Sequence, residues 1–512
     1  MRILSKGAGF HILPLIFLFF NFLHSSPFKW TVAFYMAGDN NLAAALDEDL
    51  EEIRLARINP DINIVILADR GPLSLVPGTY IYIKRDTFLL ETVNLGNLDS
   101  GSPSTLAFFI RYVLSNYPSD RFGLVFWGHG TGWTKEISVF RSLAYDATSG
   151  NSLEISSGAL RASIPDSIFD FIVFDACLMG SIEVLWELEG KARYVLASPA
   201  LVPSSGLNYG SFLSNLSEFS SCTFDFLSKT CDDFCREYEN QGRSVIISLY
   251  ELSKIPDTRR RITLLVERSY TENDETIKKC RISSITYNVF SPDVWDTMAN
   301  LADLGDFAVL FGNSELPIVA YSRGTGIYRN HIGVSVFFPL SFTVVKNNFS
   351  RYSRLRFQRD TKFLDVILNG LKKDLYFEED TARTGITKSR EFLLVRFDPI
   401  LKASNWLLEL VISGRKADKV FSKYSVLPIF KLKLPPDTYE VGLFICDSRG
   451  IRIAEVPIKP DEIILNETET KYYENIVTYN ELGTNSFDVL GRKSNKSEKG
   501  FLFKENKRYL VY

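Results

Sequence analysis

Residues 170–180 read Asp-Phe-Ile-Val-Phe-Asp-Ala-Cys-Leu-Met-Gly. Phe171, Ile172, Val173 and Phe174 form a short continuous apolar run, the pattern of a strand covered on both faces in a parallel sheet. Beyond Gly180 the apolar residues Ile182, Val184, Leu185 and Leu188 fit an amphipathic helix. A buried strand that runs into a helix puts Cys177 at the carboxyl end of a central strand, where open α/β sheets hold their ligands. Phe122 to Trp127 repeats the apolar run, and Gly128-His129-Gly130 follows at once. A thiol and an imidazole are therefore expected at one edge of one sheet.

Outward from this stretch the alternation continues. Strands are expected at 30–36, 62–68, 194–197 and 245–250, and helices at about 42–57, 102–117, 156–162, 224–238 and 252–268. Asn41 is the expected N-cap of the first helix, with Asp47, Glu48, Glu51 and Glu52 on its solvated face. Residues 80–84 and 88–93 read as a hairpin, and Ala144-Tyr145-Asp146 as a short strand in an otherwise loop-like 131–151. This is an α/β pattern, a mostly parallel sheet with helices on both faces. A helical region at 293–311, a strand at 333–338 and a helix at 362–371 complete a domain expected over 27–378. From 379 to 465, five short strands separated by turns such as Pro435-Pro436-Asp437 predict an all-β, sandwich-like domain. Residues 466–512 form a polar, poorly periodic tail.

Composition narrows the function. A net charge of −3 over 512 residues carries no basic stripe for nucleic acid, and 39 Phe with 23 Tyr provide a large core. Residues 1–26 carry Arg2 and Lys6 before an apolar run from Ile12 to Phe22, the layout of a secretory signal peptide, with a retained N-terminal anchor as the alternative. No later stretch is long and apolar enough to span a bilayer. The expected location is secreted, cell-surface or periplasmic. Six cysteines are too scattered for a disulfide scaffold, and Cys231 with Cys235 on one helix face reads as packing rather than a metal site.

Of four histidines, His11 and His24 fall in the leader, which leaves His129 and His331. His331 has no evident partner. A cysteine nucleophile needs a base or a lowered pKa, and His129 supplies the base. The backbone N–H groups of Gly130 and Cys177 are candidate oxyanion donors, and Gly130 leaves room for an incoming carbonyl. Asp175, two residues before Cys177 on the same strand face, either caps its turn or puts a carboxylate in the pocket beside the nucleophile.

Several segments together resemble the clostripain family of cysteine peptidases, relatives of the caspases, gingipains and legumains. They are Tyr35-Met36-Ala37-Gly38-Asp39-Asn40-Asn41-Leu42, Leu124 to Gly130 with Gly132-Trp133, Tyr145-Asp146-Ala147-Thr148-Ser149-Gly150, and Phe174 to Val184. The resemblance covers about 28–340. It implies a caspase-like fold, a His129/Cys177 dyad, protein or peptide substrates, and cleavage after Arg or Lys with Asp175 at the pocket floor. Family members often carry a second pocket acid after the next strand, but here Ala197-Ser198 leads into Pro199-Ala200-Leu201-Val202-Pro203. Some members need calcium, yet no compact calcium loop is visible and no metal ligand is assigned. Some cut themselves between the two catalytic residues. Here Lys135 and Arg141 are the basic residues of 131–144, and Arg141-Ser142 is the expected bond. The rival to a secreted cysteine endopeptidase is a binding or adhesion protein on a catalytically retired fold. A small-molecule amidase is a third reading.

Overall fold

A computed structural model describes residues 28–371, apart from 73, 75, 86–87, 134–141 and 288–299, together with strand segments between 382 and 511. Strands β1 (Trp30–Gly38), β2 (Ile62–Arg70), β3 (Gly78–Arg85), β4 (Phe88–Asn94), β5 (Arg121–Trp127), β6 (Phe169–Asp175), β7 (Ala192–Ala197) and β8 (Ile246–Glu251) are joined after β9 (Leu301–Asp303) by β10 (Val319–Gly324). Nine of them form one sheet in the order β10-β8-β7-β6-β5-β1-β2-β3-β4. Its centre, β2-β1-β5-β6-β7, is parallel, and the strands outside it pair antiparallel.

The central strands read as unbroken apolar runs because both faces are covered. On one face Leu124, Phe126, Ile172 and Phe174 pack with Leu106 and Phe109 of helix α1 (Pro103–Asn116). On the other, Val125, Trp127, Phe171 and Val173 meet Leu46 and Ile53 of the helix Ala43–Leu55, and Phe226 and Cys231 of the helix Thr223–Asn240. Phe126 stacks on Phe174 across adjacent strands at 5.1 Å. Each such side chain, fully buried, contributes about 1.5–3 kcal/mol. Cys231 and Cys235 are both buried in that second core layer.

Three local expectations change. Helix Ala43–Leu55 has Leu42 at its N-cap position, where the Leu42 N–H donates to Asn40 Oδ1 at 2.9 Å. Asn41 is not the cap, because its side chain turns to His129. Residues 144–146 are a turn rather than a strand: Ala144 has φ +52, and the Asp146 carboxylate accepts the N–H groups of Ser100 and Ser149. Of the expected helical region at 293–311, residues 293–299 lie outside the described residues, and the helix is Leu304–Gly312.

Past 371, strands Ala382–Lys388, Leu393–Asp398, Ile429–Leu432 and Ile458–Lys459 form one sheet. Leu407–Gly414, Val420–Ser425, Thr438–Cys446, Arg452–Val456 and Glu462–Ile464 form another. Within 466–512, where the sequence shows little periodicity, Val477–Thr478, Phe501–Glu505 and Arg508–Val511 pair in a small third sheet. The leader lies outside the described residues, and among those described no helix is long and apolar enough to cross a membrane.

Candidate active site

β5 and β6 are neighbours with Trp127 in register with Asp175, so His129 and Cys177 each lie two residues past a paired position. The turns that carry them interlock. The Gly128 N–H donates to the Asp175 carbonyl at 3.2 Å. A Cβ on Gly130 would sit 2.5 Å from the carbonyl oxygen of Cys177 and 3.0 Å from Ala176 Cβ. The space that Gly130 is expected to clear for a substrate carbonyl is thus taken by Cys177's own. Neither the Gly130 nor the Cys177 N–H donates a hydrogen bond among the described residues. Leu178, buried at φ +64, turns the chain sharply after the thiol. That left-handed conformation costs a residue with a Cβ about 1–2 kcal/mol and is tolerated where the surroundings enforce it.

His129 is half-buried, and its Nε2 lies 2.8 Å from Asn41 Oδ1. With that oxygen as acceptor, Nε2 carries the proton and Nδ1 is the basic nitrogen. Asn41 belongs to one of the quoted motifs, but no sequence signal separates it from an N-cap.

Cys177 is a free thiol. The strip 198–202 runs alongside its turn, through Leu178 N–H to Ala200 O at 3.0 Å and Gly180 N–H to Ser198 O at 2.8 Å. The Val202 N–H donates to Sγ at 3.3 Å, and the thiol faces the Val202 carbonyl at 3.7 Å. Burial pushes the thiol up to about 11; the Val202 N–H opposes this and the Asp175 charge adds to it.

Asp175 ends β6, so strand alternation does not extend to Cys177, which lies beyond the strand. Its side chain joins the second core layer. Oδ2 accepts the Leu207 N–H at 3.0 Å and the Tyr209 hydroxyl at 2.8 Å. Burial raises its pKa to about 6, against those two hydrogen bonds. Two acids from helix Ala43–Leu55 stand nearby. Asp49 accepts from Trp127 Nε1 at 2.5 Å and is raised to about 8 by burial and by the Asp175 charge. Glu52, expected on the solvated face, is half-buried and accepts the Tyr209 N–H at 2.8 Å. The sequence hides Glu52 because helix periodicity assigns it to the wet face.

His331 sits elsewhere, with Nδ1 2.7 Å from Asp306 Oδ2. Lys135 and Arg141 lie outside the described residues; Ser142, next to Arg141, is buried. Among the described residues, Asp39, Asp69 and Asp146 converge as the group able to hold a metal ion.

The sequence profile described as the clostripain family matches residues 34–322, more than half of the chain. The chain belongs to the clostripain family. Clostripain of Hathewaya histolytica is 27% identical over 214 residues, which cover 35% of this chain and 41% of that protein. The match thus spans less than half of that relative's length. The fold is similar to that of an inactive zymogen C11 protease from Parabacteroides distasonis, with TM-score 0.51 at 21% identity, covering 66% of this chain and 98% of that one. A secreted C11 cysteine protease from Bacteroides thetaiotaomicron, solved with an irreversible peptide inhibitor, gives TM-score 0.51 at 21% identity over 66% of this chain and 99% of that one. At this identity the likeness establishes a shared fold, the mostly parallel sheet flanked by helices.

Proposed function

We propose that this clostripain-family chain is a secreted cysteine endopeptidase that cleaves after Arg or Lys. The observation that carries the reading is the interlock of the two turns at adjacent strand ends, with Gly130 seated on the Cys177 carbonyl. His129 Nδ1 takes the Cys177 proton, and the sulfur attacks the scissile carbonyl carbon. The Gly130 and Cys177 N–H groups donate to the resulting oxyanion. Collapse breaks the C–N bond, and the proton on His129 passes to the departing amine. Water, deprotonated by His129, then hydrolyses the thioester and restores the thiol. A substrate guanidinium or ammonium pairs with Asp175, beside which the Glu52 carboxylate adds negative charge. The leader directs export, the sheets of 379–465 form a separate β-domain, and cleavage after Arg141 processes the chain.

A biotinylated peptidyl acyloxymethyl ketone with P1 Arg tests the reading. Labelling of the wild type, lost in Cys177→Ala and reduced by more than tenfold with a neutral P1, is expected. The thiol pKa raised by burial favours a second reading, a retired fold that binds rather than cuts. Under that reading the probe labels nothing, whatever its P1 residue.

A further inference from the structure

Two residues of the shared motifs take no part in the chemistry above. Trp133 stands four residues past His129, and Glu183 six past Cys177. Glu183 reads as the polar face of the helix after Gly180, yet it is 0% exposed, and Trp133 is 1% exposed. The chain on the way to them is close-packed. A Cβ on Gly132 would sit 3.0 Å from the Leu178 carbonyl oxygen and 3.6 Å from Ser181 Oγ. The turn that carries His129 therefore lies along the turn that carries Cys177, and the two residues come just past that contact.

The Glu183 carboxylate is held at one oxygen. Oε1 accepts the Phe337 N–H at 2.8 Å. Phe337 ends the strand Ser335–Phe337, whose Ser335 N–H reaches the Gly180 carbonyl at 3.0 Å. Glu183 Oε2, the Tyr352 hydroxyl and Trp133 Nε1 are buried and make no hydrogen bond among the described residues. The rings form one cluster: Trp133 is 5.2 Å from both Phe337 and Tyr352, which lie 5.1 Å apart. After burial, it is the Glu183 charge that raises the Tyr352 pKa, so the hydroxyl stands beside the carboxylate. One acceptor and two donors thus gather around one ring cluster. A buried polar group left unpaired has given up its water with nothing in exchange. A single enclosed water accepts from both donors and donates to Oε2, which completes all three.

Among the described residues no Lys or Arg forms an ion pair with Glu183. On the neighbouring helix Arg356–Thr361, Arg356 bonds to Glu187 and Glu189, Arg359 stands toward Glu187, and Asp360 accepts from Trp186 and Arg259. From the helix Phe342–Tyr352, Tyr352 is the titratable group that faces it. Burial raises Glu183 to about 7, against the Phe337 N–H and the Tyr352 hydroxyl. Both protonation states are therefore populated at neutral pH, and donors favour the ionised one.

We infer that Glu183 is a positioning residue for catalysis: through one enclosed water it takes the hydrogen bonds of the Trp133 indole and the Tyr352 hydroxyl, and so locks the His129 turn onto the Cys177 turn. Its carboxylate reaches the reaction only through those turns. The inference rests on the reading of His129 and Cys177 as the catalytic pair.

Six tryptophans give at most six indole signals in a proton–nitrogen correlation spectrum of the full-length chain, and Trp133→Phe identifies one of them. Between pH 5.5 and 8.5 the Trp133 signal should shift with a midpoint of about 7. Glu183→Gln should abolish that shift. Tyr352→Phe keeps the ring and should raise the midpoint, because it removes a donor to the ionised form. On peptide substrates, Glu183→Gln should lower kcat by about 10- to 100-fold and leave KM within about twofold. Adding Trp133→Phe to that variant should cost little more, since the two act as one unit. A wild type that cuts no peptide would fail the peptidase reading, while the indole titration still tests the link between Glu183 and Trp133. An indole signal that does not follow Glu183, or full kcat in Glu183→Gln, would overturn the proposal. Should Glu183→Gln not fold, an unmoved midpoint in Tyr352→Phe overturns it.

Discussion

The Cys177 sulfur is bracketed by the backbone of a single residue, Val202, whose N–H lies 3.3 Å and whose carbonyl oxygen lies 3.7 Å from Sγ. Burial raises the thiol's pKa, and the Val202 N–H opposes that rise. In this conformation the sulfur is a thiol at neutral pH, whereas a cysteine nucleophile must be a thiolate. The 198–202 strip therefore has to shift, or the imidazole has to take the proton, before attack. The first prediction is kinetic. Alkylation of Cys177 by iodoacetamide should rise about tenfold per pH unit from pH 7 to 10 without a plateau. Exposed Cys222 reacts as well, so each site is followed by peptide mass spectrometry. A plateau below pH 8 would show that the thiolate is already formed.

In the proposed mechanism Asn41 acts as a positioning residue, since its side chain meets the His129 imidazole. Asn41→Ala should lower kcat/KM by about 10- to 100-fold, the scale of a lost orienting hydrogen bond, and leave KM nearly unchanged. Asn41→Asp should restore part of the rate. It should also move the acidic limb of the pH profile upward, since a carboxylate beside His129 favours the imidazolium. An unmoved limb in an active Asn41→Asp would remove the assigned role.

Asp175 supplies a pH signature. Its pKa of about 6 lies above the ordinary carboxylate value. Its contribution to stability is thus fully present below the unfolded pKa and is lost as pH rises through about 6. Binding has the opposite sign, since only the ionised form pairs with a cationic P1. For a P1-Arg substrate, KM should fall as pH rises from 5 to 7, and for a neutral P1 it should not. Asp175→Asn should remove the difference and cost several kcal/mol of transition-state binding if the pair is desolvated. Persistent Arg selectivity in that variant would rule Asp175 out of the pocket.

Gly130→Ala tests the interlock itself. The added Cβ meets the Cys177 carbonyl at 2.5 Å, and neither backbone can yield without moving a strand end. Overpacking of this kind costs about 1–3 kcal/mol or more. Gly150→Ala is the control: at φ +73 it pays local strain, but its Cβ would have nothing within 4 Å. Thermal unfolding should show the larger loss at Gly130, with activity falling alongside. Equal losses would mean that the two turns do not depend on each other.

The sheet was legible in the sequence because continuous apolar runs such as Phe171 to Phe174 arise only where both faces are covered, and because each ends in a turn at the same edge. The placement of His129 and Cys177 just past neighbouring strand ends follows from that edge. What local periodicity could not show were relations across it. Asn41 reads as a helix cap, yet its side chain reaches a histidine from another strand. Glu52 reads as solvated, yet Tyr209 closes over it. Asp39, Asp69 and Asp146 are far apart in the chain and match no loop motif, so only the folded sheet edge brings them together. The Ala144 region has strand-like composition, but side-chain bonds to Asp146 make it a turn.

Processing after Arg141 is the last prediction. The bond precedes Ser142, which is buried, and Asp146 is held by Ser100 and Ser149 a few residues on. Hydrogen bonds to Asp146 therefore hold the 142–151 turn after the bond is cut. β5 lies before the cut and β6 after it, paired in parallel from Phe122 to Trp127. The two fragments should remain together, held by the same core layers that bury both strands. Intact mass spectrometry of purified wild type should show one fragment ending at Arg141 and one beginning at Ser142, with both in a single gel-filtration peak. Cys177→Ala should give one uncut chain, and Arg141→Gln should block the cut and lower activity on peptide substrates. A fully active, uncut wild type would show that the segment is a surface insertion with no part in activation.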